Sequence, residues 1–534
     1  MLSSFAPISI LISVPVDHGK TTLVDQLLRQ SGAVSGSVHS LLPTNNDRDL
    51  SSTDRMMDSG ELERERGITI LSKCTSIGYK GNIINIIDTP GHADFGGEVE
   101  RIMNMVDGVA LIVDATEGPM TQTRFVLSKA LDRGLRFASL LSFYPLSFFF
   151  SCRPLVILNK ADRPTSRPQL VESDLFDLFA TLGASDQQAD YPLLYASAKF
   201  GWAQQELPSS LPPSPSSTMR PLFDLIMSHV PSPSHLSRSG PFSMLTVQVE
   251  ADSYLGTLFL GRIHSGTLSV GDTLLSLNAD GHVVGEGKVK KIFAREGLQR
   301  VEKVAAGAGE IVSIAGIKIV GGGVNCTLVH PDGWGLDGPR PLPTTPIDPP
   351  TISINVFAND SPLAGKEGTK LTSQLIKDRI YEEAQTNVAL SVLPGPSSES
   401  LELRGRGVLH LGVLLEVLRR EGFEFCVGPP KAVLIPDPNC SGGKQSFLEP
   451  IEECTVLVKD EYASGVVQKL TKRRGELRLY ESDHPEEGWT RIVMEIPARG
   501  LIGYMAGEFK NDVHGQGYIW FSYFLKLFLT VSFL

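Results

Sequence analysis

The chain has 534 residues, too many for one hydrophobic core, so roughly three to five domains are expected. A hydrophobic content of 41%, a charged fraction of 20% and a formal net charge of -11 exclude a disordered chain and argue against a generally basic nucleic-acid binder. The cysteines are scattered without a C-x-x-C pair, which argues against a disulfide framework or a zinc site.

The first third of the chain alternates apolar runs with helical stretches. Continuous apolar runs are typical of strands that are buried on both faces of a parallel sheet. They occur at residues 8–14, 82–88, 108–115 and 155–162, with a helix predicted at 121–131. This alternation predicts a doubly wound α/β domain whose ligand binds at the carboxyl ends of the strands.

The pattern changes farther along the chain. A Pro/Ser-rich stretch at 207–221 is typical of a surface insertion, and glycine-punctuated runs over 242–328 predict a β-barrel. A proline-rich linker is expected at 338–350. Two smaller α/β units follow, with amphipathic helices predicted at 370–384, 409–421 and 463–474.

A phosphate-binding loop of the form G-x-x-x-x-G-K-[ST] follows the first apolar run, but its opening is altered. Val14 stands where the pattern has its first glycine, and Pro15 comes next. The amides that wrap the β-phosphate come from later positions, so we expect phosphate binding to survive this change. The predicted phosphate contacts there are Asp17, His18, Gly19, Lys20, Thr21 and Thr22.

The motifs RGITI and DTPGH supply the groups of a magnesium-dependent nucleotide switch. Thr69 offers magnesium a second hydroxyl beside that of Thr21, and Asp88 is predicted to bind the metal through water. The amide of Gly91 is predicted to meet the γ-phosphate.

The catalytic prediction concerns the residue that follows this glycine. His92 stands there and no glutamine does, so we predict that His92 orients the attacking water. Lys20 and magnesium are expected to neutralise the developing negative charge.

Guanine recognition needs a carboxylate that accepts from the base N1–H and from its exocyclic amine. The motifs NKAD and SAK follow apolar runs and supply such a group, together with an amide for the base O6. The predicted guanine contacts are Asn159, Lys160, Asp162, Ser197, Ala198 and Lys199. Because these motifs occur in order at predicted strand ends, the sequence predicts a protein that binds GTP and GDP.

The motifs resemble those of the translational GTPases, and most closely those of the TypA/BipA family. The likeness is carried by VDHGKTTL, RERGITI, DTPGHADFGGEVER, PMTQTRFV, NKADRP, SPLAGKEG, LRGRGVLHLGVLLEVLRREGFEF and EIPARGLIGY. It implies a role in ribosome assembly or in stress-related control of translation. It also implies that the ribosome stimulates GTP hydrolysis by positioning His92, with Val16 and Ile68 as a flanking apolar gate.

The predicted architecture is a multidomain α/β protein. A P-loop GTPase domain with a doubly wound, mainly parallel sheet precedes a β-barrel and two small α+β domains of the ferredoxin-like kind. The expected bounds are 7–235 for the GTP-binding domain with an apolar insertion at 137–152, 240–337 for the barrel, 351–434 and 447–521 for units that resemble domains III and V of elongation factor G, and 522–534 for an aberrant hydrophobic tail.

The resemblance implies a monomer whose partner is the ribosome, reached through ribosomal RNA at the factor-binding site. The basic runs 288–295 and 468–478 are candidates for RNA contact, and ordinary solvated faces are the equally weighted alternative. The expected compartment is the cytoplasm, or the plastid or mitochondrial matrix for a eukaryotic source whose true N-terminus is missing here. A membrane is not expected, because neither Phe-rich run, 137–152 or 518–534, is a convincing span of about 20 apolar residues.

Departures from the family pattern leave other interpretations open. Val14 and Pro15 replace Ala-His, Val408 replaces a glutamate, and the family pattern continues beyond this C-terminus. The alternatives are a LepA-like or elongation factor G-like factor, a non-hydrolysing or defective GTP-binding paralogue, and a tail-anchored membrane GTPase.

We predict that the run at 137–152 and the Phe-rich tail do not belong to the native protein. They would come from translated intervening sequence or from a faulty gene model. Removing 137–152 restores the family's direct passage from helix to strand. Peptide mass spectrometry of the protein from its source is expected to recover peptides from both flanks and none that contain this run. Recovery of peptides that span it would contradict the prediction.

Overall fold

The computed structural model describes residues 7–13, 18–32, 57, 60–90, 93–120, 123–131, 153–208, 217–230, 239–252, 254–319, 323–334, 338–344, 349–387, 389–436, 447–484 and 488–531. Two units, Met1–Pro346 and Ile347–Leu534, each contain hydrophobic cores of their own. The predicted insertion at 137–152 and most of the Pro/Ser-rich stretch lie outside the described residues.

The first unit begins with a seven-stranded sheet. Its strands are Ile8–Ser13 (β1), Lys73–Tyr79 (β2), Asn82–Asp88 (β3), Gly108–Asp114 (β4), Arg153–Asn159 (β5), Leu193–Ser197 (β6) and Trp202–Gln204 (β7). The order is β2-β3-β1-β4-β5-β6-β7, with β3, β1, β4, β5 and β6 parallel and the edge strands β2 and β7 antiparallel. The predicted apolar runs therefore form the centre of the sheet.

Helices cover both faces of this sheet. They are Lys20–Gln30 (α1), Glu61–Arg66 (α2), Gly96–Ile102 (α3), residues 123–131 (α4), Pro168–Thr181 (α5), Asp186–Ala189 (α6) and Arg220–His229 (α7). Strand β1 shows why both faces are covered, because Ile10 and Ile12 join the core under α1 and α7 whereas Leu11 joins the core under α3. Alternate side chains of a strand point to opposite faces, so each face of the sheet needs its own apolar layer.

The edge strand β2 was not predicted from the sequence. Its side chains alternate between buried and more exposed positions, and serine and threonine interrupt any apolar run. A strand of this kind carries a weaker sequence signal than the continuously apolar β4, every residue of which is buried.

A β-barrel completes the first unit. Its strands are Ser243–Asp252 (β8), Gly256–Ser265 (β9), Thr267–Ser269 (β10), Thr273–Leu277 (β11), Val283–Glu296 (β12), Gln299–Lys303 (β13), Ala305–Gly307 (β14), Ile311–Ile319 (β15) and Thr327–Val329 (β16). The order β11-β16-β8-β9-β15-β12 closes on itself because β12 also pairs with β11. Closure leaves these strands without open edges and surrounds a core of aliphatic side chains.

An ion pair joins the barrel to the parallel sheet. Arg262 in β9 donates from both terminal nitrogens to the Asp107 carboxylate, at 2.8 Å each. Arg262 also donates to the Met105 carbonyl at 3.1 Å, and the Ser9 amide donates to Asp107 at 2.8 Å. Both charged side chains are nearly buried, so each depends on the other for compensation of its charge.

The second unit contains two small α+β folds. The first comprises Ile352–Ala358 (β17), Ser373–Thr386 (α8), Ser391–Pro394 (β18), Leu401–Gly405 (β19), Val408–Arg420 (α9), Phe425–Val427 (β20) and the short strand Lys431–Ala432 (β21). Its strands lie in the order β18-β19-β17-β20 and are antiparallel. This is the ferredoxin-like arrangement, in which the first and third strands are neighbours at the centre.

The second fold repeats this arrangement. It comprises Ile435–Pro436 (β22), Phe447–Lys459 (β23), Asp460–Lys472 (α10), Glu476–His484 (β24), Trp489–Pro497 (β25), Ala498–Leu501 (α11), Phe509–Asp512 (α12) and Gly517–Val531 (β26). Strand β26 pairs along β23 and so includes much of the segment predicted to be an aberrant tail. That this segment is foreign to the family stays a prediction.

Val408, at the position where the family resemblance leads us to expect glutamate, is the first residue of α9. Its side chain is 66% exposed, and the first turn of α9 contains no acidic residue. An acid at this position would favour the helix by about 0.3–1 kcal/mol through the helix dipole. The replacement therefore forgoes a small local stabilisation at a position that faces solvent.

Among the described residues, no helix combines the length and apolarity needed to cross a membrane. The cysteines within those residues, Cys74, Cys326, Cys426 and Cys454, are free thiols.

We expect Arg262→Met to lower the free energy of unfolding of the first unit by about 3–5 kcal/mol, because it leaves the Asp107 carboxylate buried without its cation. Native-state hydrogen exchange of the β1 and β4 amides would measure the loss. The matched control, Arg300→Met, removes a more exposed arginine that pairs with Glu250 on the barrel surface, and should change stability by about 1 kcal/mol or less. An equal loss of stability from the two substitutions would contradict this role of the Arg262–Asp107 ion pair.

Candidate functional site

Strand register brings the predicted motifs to one edge of the parallel sheet. Ile12 of β1 lies beside Asp88 at the end of β3, and Asp114 at the end of β4 lies beside Asn159 at the end of β5. Strand β6, which ends at Ser197, runs parallel to β5. The carboxyl ends of these strands therefore meet, which is where ligands bind in open α/β sheets.

The phosphate loop enters α1 through Gly19. This glycine has a φ of 87°, in the left-handed region, and it is the residue before the first turn of the helix. A Cβ at this position would lie 2.5 Å from the Asn159 side-chain nitrogen, so a larger residue does not fit. The chain thus presents the amino end of α1 at the edge of the sheet.

Lys20 directs its ammonium group at the end of β3. Its Nζ lies 2.9 Å from Asp88 Oδ1 and donates to the Thr89 carbonyl. Lys20 is 8% exposed and Asp88 is fully buried. The structure therefore brings the predicted phosphate-binding cation next to the predicted magnesium-binding acid.

Asn159 connects the phosphate loop to the predicted guanine loops. Its side-chain nitrogen donates to the His18 carbonyl at 2.7 Å, and its side-chain oxygen accepts from the Ala198 amide at 2.9 Å. The Ser197 hydroxyl oxygen accepts from the Phe200 amide at 3.3 Å and helps to shape the SAK turn. The three chain segments are therefore held together by hydrogen bonds from one fully buried side chain.

Asp114 is a site residue that the motif search missed. Its carboxylate lies 2.5 Å from Lys160 Nζ, and its amide donates to His18 Nδ1 at 3.1 Å. Burial raises the pKa of Asp114. The hydrogen bonds from Lys160 and from the Thr116 amide together lower it by a larger amount, so the net pKa is below its usual value. An acid at the end of the apolar run GVALIVD was the available signal.

Glu117 lies on the outer side of the same cluster. Its carboxylate lies 3.7 Å from Nε2 of the buried His18. The nearby His18 imidazole holds the pKa of Glu117 below its usual value. Nothing in the sequence around Glu117 links it to the phosphate loop, because the contact depends on the folded path of both segments.

The remaining predicted residues have varied environments. Asp162 is half-buried just after β5, Thr21 is half-buried and Thr22 exposed in the first turn of α1, and Lys199 is exposed. Thr69 is buried and Ile68 half-buried in the segment between α2 and β2. The predicted residues Asp17, Val16, Gly91 and His92 lie outside the described residues, as do Val14 and Pro15.

Family models match both ends of the chain. Residues 7–142 match the elongation factor Tu GTP binding domain, and residues 446–524 match the elongation factor G C-terminus. Across 98% of the chain, the fold is similar to 97% of a crystal structure from Thermus thermophilus, with a TM-score of 0.61. The sequences are 14% identical, so this likeness concerns the fold alone.

Curated relatives match nearly the whole chain. The large ribosomal subunit assembly factor BipA of Synechocystis sp. is 42% identical over 95% of this chain and 76% of its own length. The proteins of the same name from Haemophilus influenzae and Bacillus subtilis are 40% and 39% identical, over 96% and 95% of this chain and 75% of each relative. With this identity over nearly its full length, the chain belongs to the TypA/BipA family of translational GTPases.

Proposed function

We propose that this chain is a ribosome-associated enzyme that hydrolyses GTP to GDP and phosphate, in ribosome assembly or in stress-related control of translation. The observation that carries the proposal is the Asn159 bridge between the phosphate loop and the guanine loops. The names of the relatives, as assembly factors of the large ribosomal subunit, support the ribosome as partner.

The phosphates would bind at the amino end of α1. The amides of residues 17–22 are the proposed donors, and the positive end of the helix favours an anion there. Lys20 would donate to the phosphates, which compete with Asp88 for its ammonium group.

The guanine base would bind at the ends of β5 and β6. The Asp162 carboxylate would accept from the base N1–H and amine, and its carboxylate has no partner among the described residues. Asn159 and Lys160 would line the base, while an amide of the turn Ser197–Lys199 would donate to its O6. Adenine lacks this donor pattern, so the arrangement selects guanine.

Magnesium would be held by Thr21 and Thr69, and by Asp88 through water. Their hydroxyl and carboxylate oxygens are the hard ligands that this ion prefers, and Asp88 lies fully buried at the site edge. When bound, the ion supplies positive charge that stabilises the phosphates.

Hydrolysis would depend mainly on positioning. His92 would hold the attacking water in line with the γ-phosphate, and Lys20 would stabilise the charge that develops on the phosphate oxygens. Val16 and Ile68 would flank His92 as an apolar gate until the ribosome positions the histidine.

Ribosomal RNA would meet the two basic runs. Lys288 and Lys290 on β12 are exposed, as are Lys472 and Arg474 near the end of α10. None of these cations forms an ion pair with a described residue, in contrast to Arg473, which pairs with Glu508. We further propose that the protein acts as a monomer in the cytoplasm, or in a plastid or mitochondrial matrix for a eukaryotic source.

We expect Asp162→Asn to weaken GTP binding by about a hundred-fold or more, because two hydrogen bonds to a charged acceptor are lost. Xanthosine triphosphate should bind the variant better than GTP does, since its C2 carbonyl accepts from the new amide. Equilibrium binding of both nucleotides measures the switch. Asp177→Asn, the same substitution at an exposed position of α5, is the control and should leave both affinities unchanged. Unaltered GTP preference in the Asp162 variant would contradict the assignment.

We expect His92→Ala to reduce ribosome-stimulated GTP turnover by about a hundred-fold or more while GTP still binds, because the attacking water loses its positioning group. Turnover is measured with and without ribosomes. The control is His282→Ala, which changes an exposed histidine of the barrel and should retain full stimulation. If neither ribosomes nor the His92 substitution changes the rate, the proposed mechanism fails.

A further inference from the structure

One buried carboxylate fastens the segment between α2 and β2. Glu63, in α2, is 4% exposed, and both of its carboxylate oxygens accept hydrogen bonds. The donors are the amides of Gly60 at 3.1 Å, Ile70 at 3.0 Å and Leu71 at 3.2 Å, and Lys73 Nζ at 2.5 Å. The donors come from both ends of residues 60–73, which we call the clamped segment.

The chain path explains how one side chain reaches both ends. Helix α2 ends at Gly67, whose φ of 72° lies in the left-handed region, and the Gly67 amide donates to the Glu63 carbonyl at 2.8 Å. The chain reverses there and runs back along the short helix. The amides of Ile70 and Leu71 then reach the carboxylate that already caps the start of α2.

This arrangement differs from an ordinary ion pair. Lys73 is one donor, but the other donors are backbone amides of the clamped segment itself. Burial raises the pKa of Glu63. The hydrogen bonds from Lys73 and from the backbone amides together lower it by a larger amount, which favours the ionised carboxylate. A second carboxylate adds to the clamp, because Glu98 accepts from the Ser72 amide at 3.1 Å.

The clamp lies directly beside the residues assigned to the γ-phosphate side of the site. Ile68, the proposed gate residue, and Thr69, the proposed magnesium ligand, immediately precede the two amides that Glu63 holds. Thr69 is 6% exposed, so it is already enclosed by the protein in this structure.

We propose that Glu63 is a positioning residue that holds Thr69 and Ile68 ready for the triphosphate form of the nucleotide. The inference rests on the proposed function, because it needs GTP and magnesium to bind at the sheet edge. A segment that is already ordered loses less conformational entropy when Thr69 meets the ion, and binding is correspondingly tighter.

The consequence is selective for GTP over GDP. Among the described residues, all donors to the Glu63 carboxylate lie in the clamped segment, and none belongs to the phosphate loop or the guanine loops. GDP has no γ-phosphate, and its assigned protein contacts come from those loops. Loss of the clamp should therefore weaken the triphosphate and leave the diphosphate almost unaffected.

The test compares the affinities of GDP and of a non-hydrolysable GTP analogue, with magnesium, for Glu63→Gln, Glu63→Ala and Lys73→Met. Glu63→Ala should weaken the analogue by about ten-fold or more relative to GDP, because charged hydrogen bonds are lost. Glu63→Gln keeps one acceptor oxygen, and Lys73→Met keeps the carboxylate that accepts from every amide. Both variants should therefore lose less affinity for the analogue than Glu63→Ala does. Glu65→Gln, on an exposed position of the same helix, is the control and should behave like the unmodified chain.

Two further measurements separate positioning from general destabilisation. Removal of magnesium should abolish the difference between Glu63→Ala and the unmodified chain, because Thr69 acts through the ion. In the variants bound to the analogue, hydrogen exchange should be faster at the Ile70 and Leu71 amides and unchanged at the β5 amides.

The outcomes are distinguishable. Equal weakening of GDP and the analogue would assign Glu63 a general folding role and overturn the proposal, as would unchanged affinity for both. Should Glu63→Ala fail to fold, the graded losses in Glu63→Gln and Lys73→Met decide the matter. An unmodified chain that binds neither nucleotide would overturn the proposed function, and the role of Glu63 with it.

Discussion

The site depends on the side-chain amide of Asn159. Its nitrogen donates to the His18 carbonyl, its oxygen accepts from the Ala198 amide, and the side chain is 1% exposed. Loss of the amide would leave both partners buried and unsatisfied, at about 1–3 kcal/mol each. The close approach is possible because Gly19 has no Cβ where the amide nitrogen lies. In the proposed GTP complex, phosphate and base recognition would therefore share one packing constraint.

The two sides of the site are built differently. On the proposed guanine side, strand ends are bonded directly to one another, as between Asp114 and Lys160. On the proposed γ-phosphate side, the clamped segment is held by the carboxylates of Glu63 and Glu98 and continues into β2. The hydroxyl of Thr75 in β2 donates to the Gly297 carbonyl at 2.5 Å, and the Gly297 amide donates to the Ser76 carbonyl at 2.9 Å. The position of the clamped segment is therefore linked, through one hydrogen-bonded strand, to a hairpin of the barrel.

These features differ in how far the sequence predicts them. The central strands and the motifs at their ends are local patterns, since apolar runs define the strands and Gly19 or Asn159 follows directly. Asp114, Glu63 and Arg262 act through partners that the fold brings near, and Arg262 and Asp107 are 155 positions apart in the chain. No local spacing encodes such pairs. Strand β2 was not predicted for a related reason. It is a strand mainly because it pairs with β3, and its own composition gives only a weak signal.

Lys20 and Asp88 show how the site keeps its buried charges compensated. Two unpaired charges at this depth would each cost several kcal/mol, and here they neutralise each other at 2.9 Å. In the proposed GTP complex each acquires a new counter-charge, the phosphates for Lys20 and magnesium for Asp88. Nucleotide binding would then exchange the partner of each side chain and leave neither charge uncompensated. Removal of either side chain alone leaves the other uncompensated in the nucleotide-free state, so such a substitution affects the stability of the sheet edge as well as nucleotide affinity. Glu63 lies outside this exchange, because its donors belong to the segment it holds, and so the two kinds of carboxylate at this edge have separable roles.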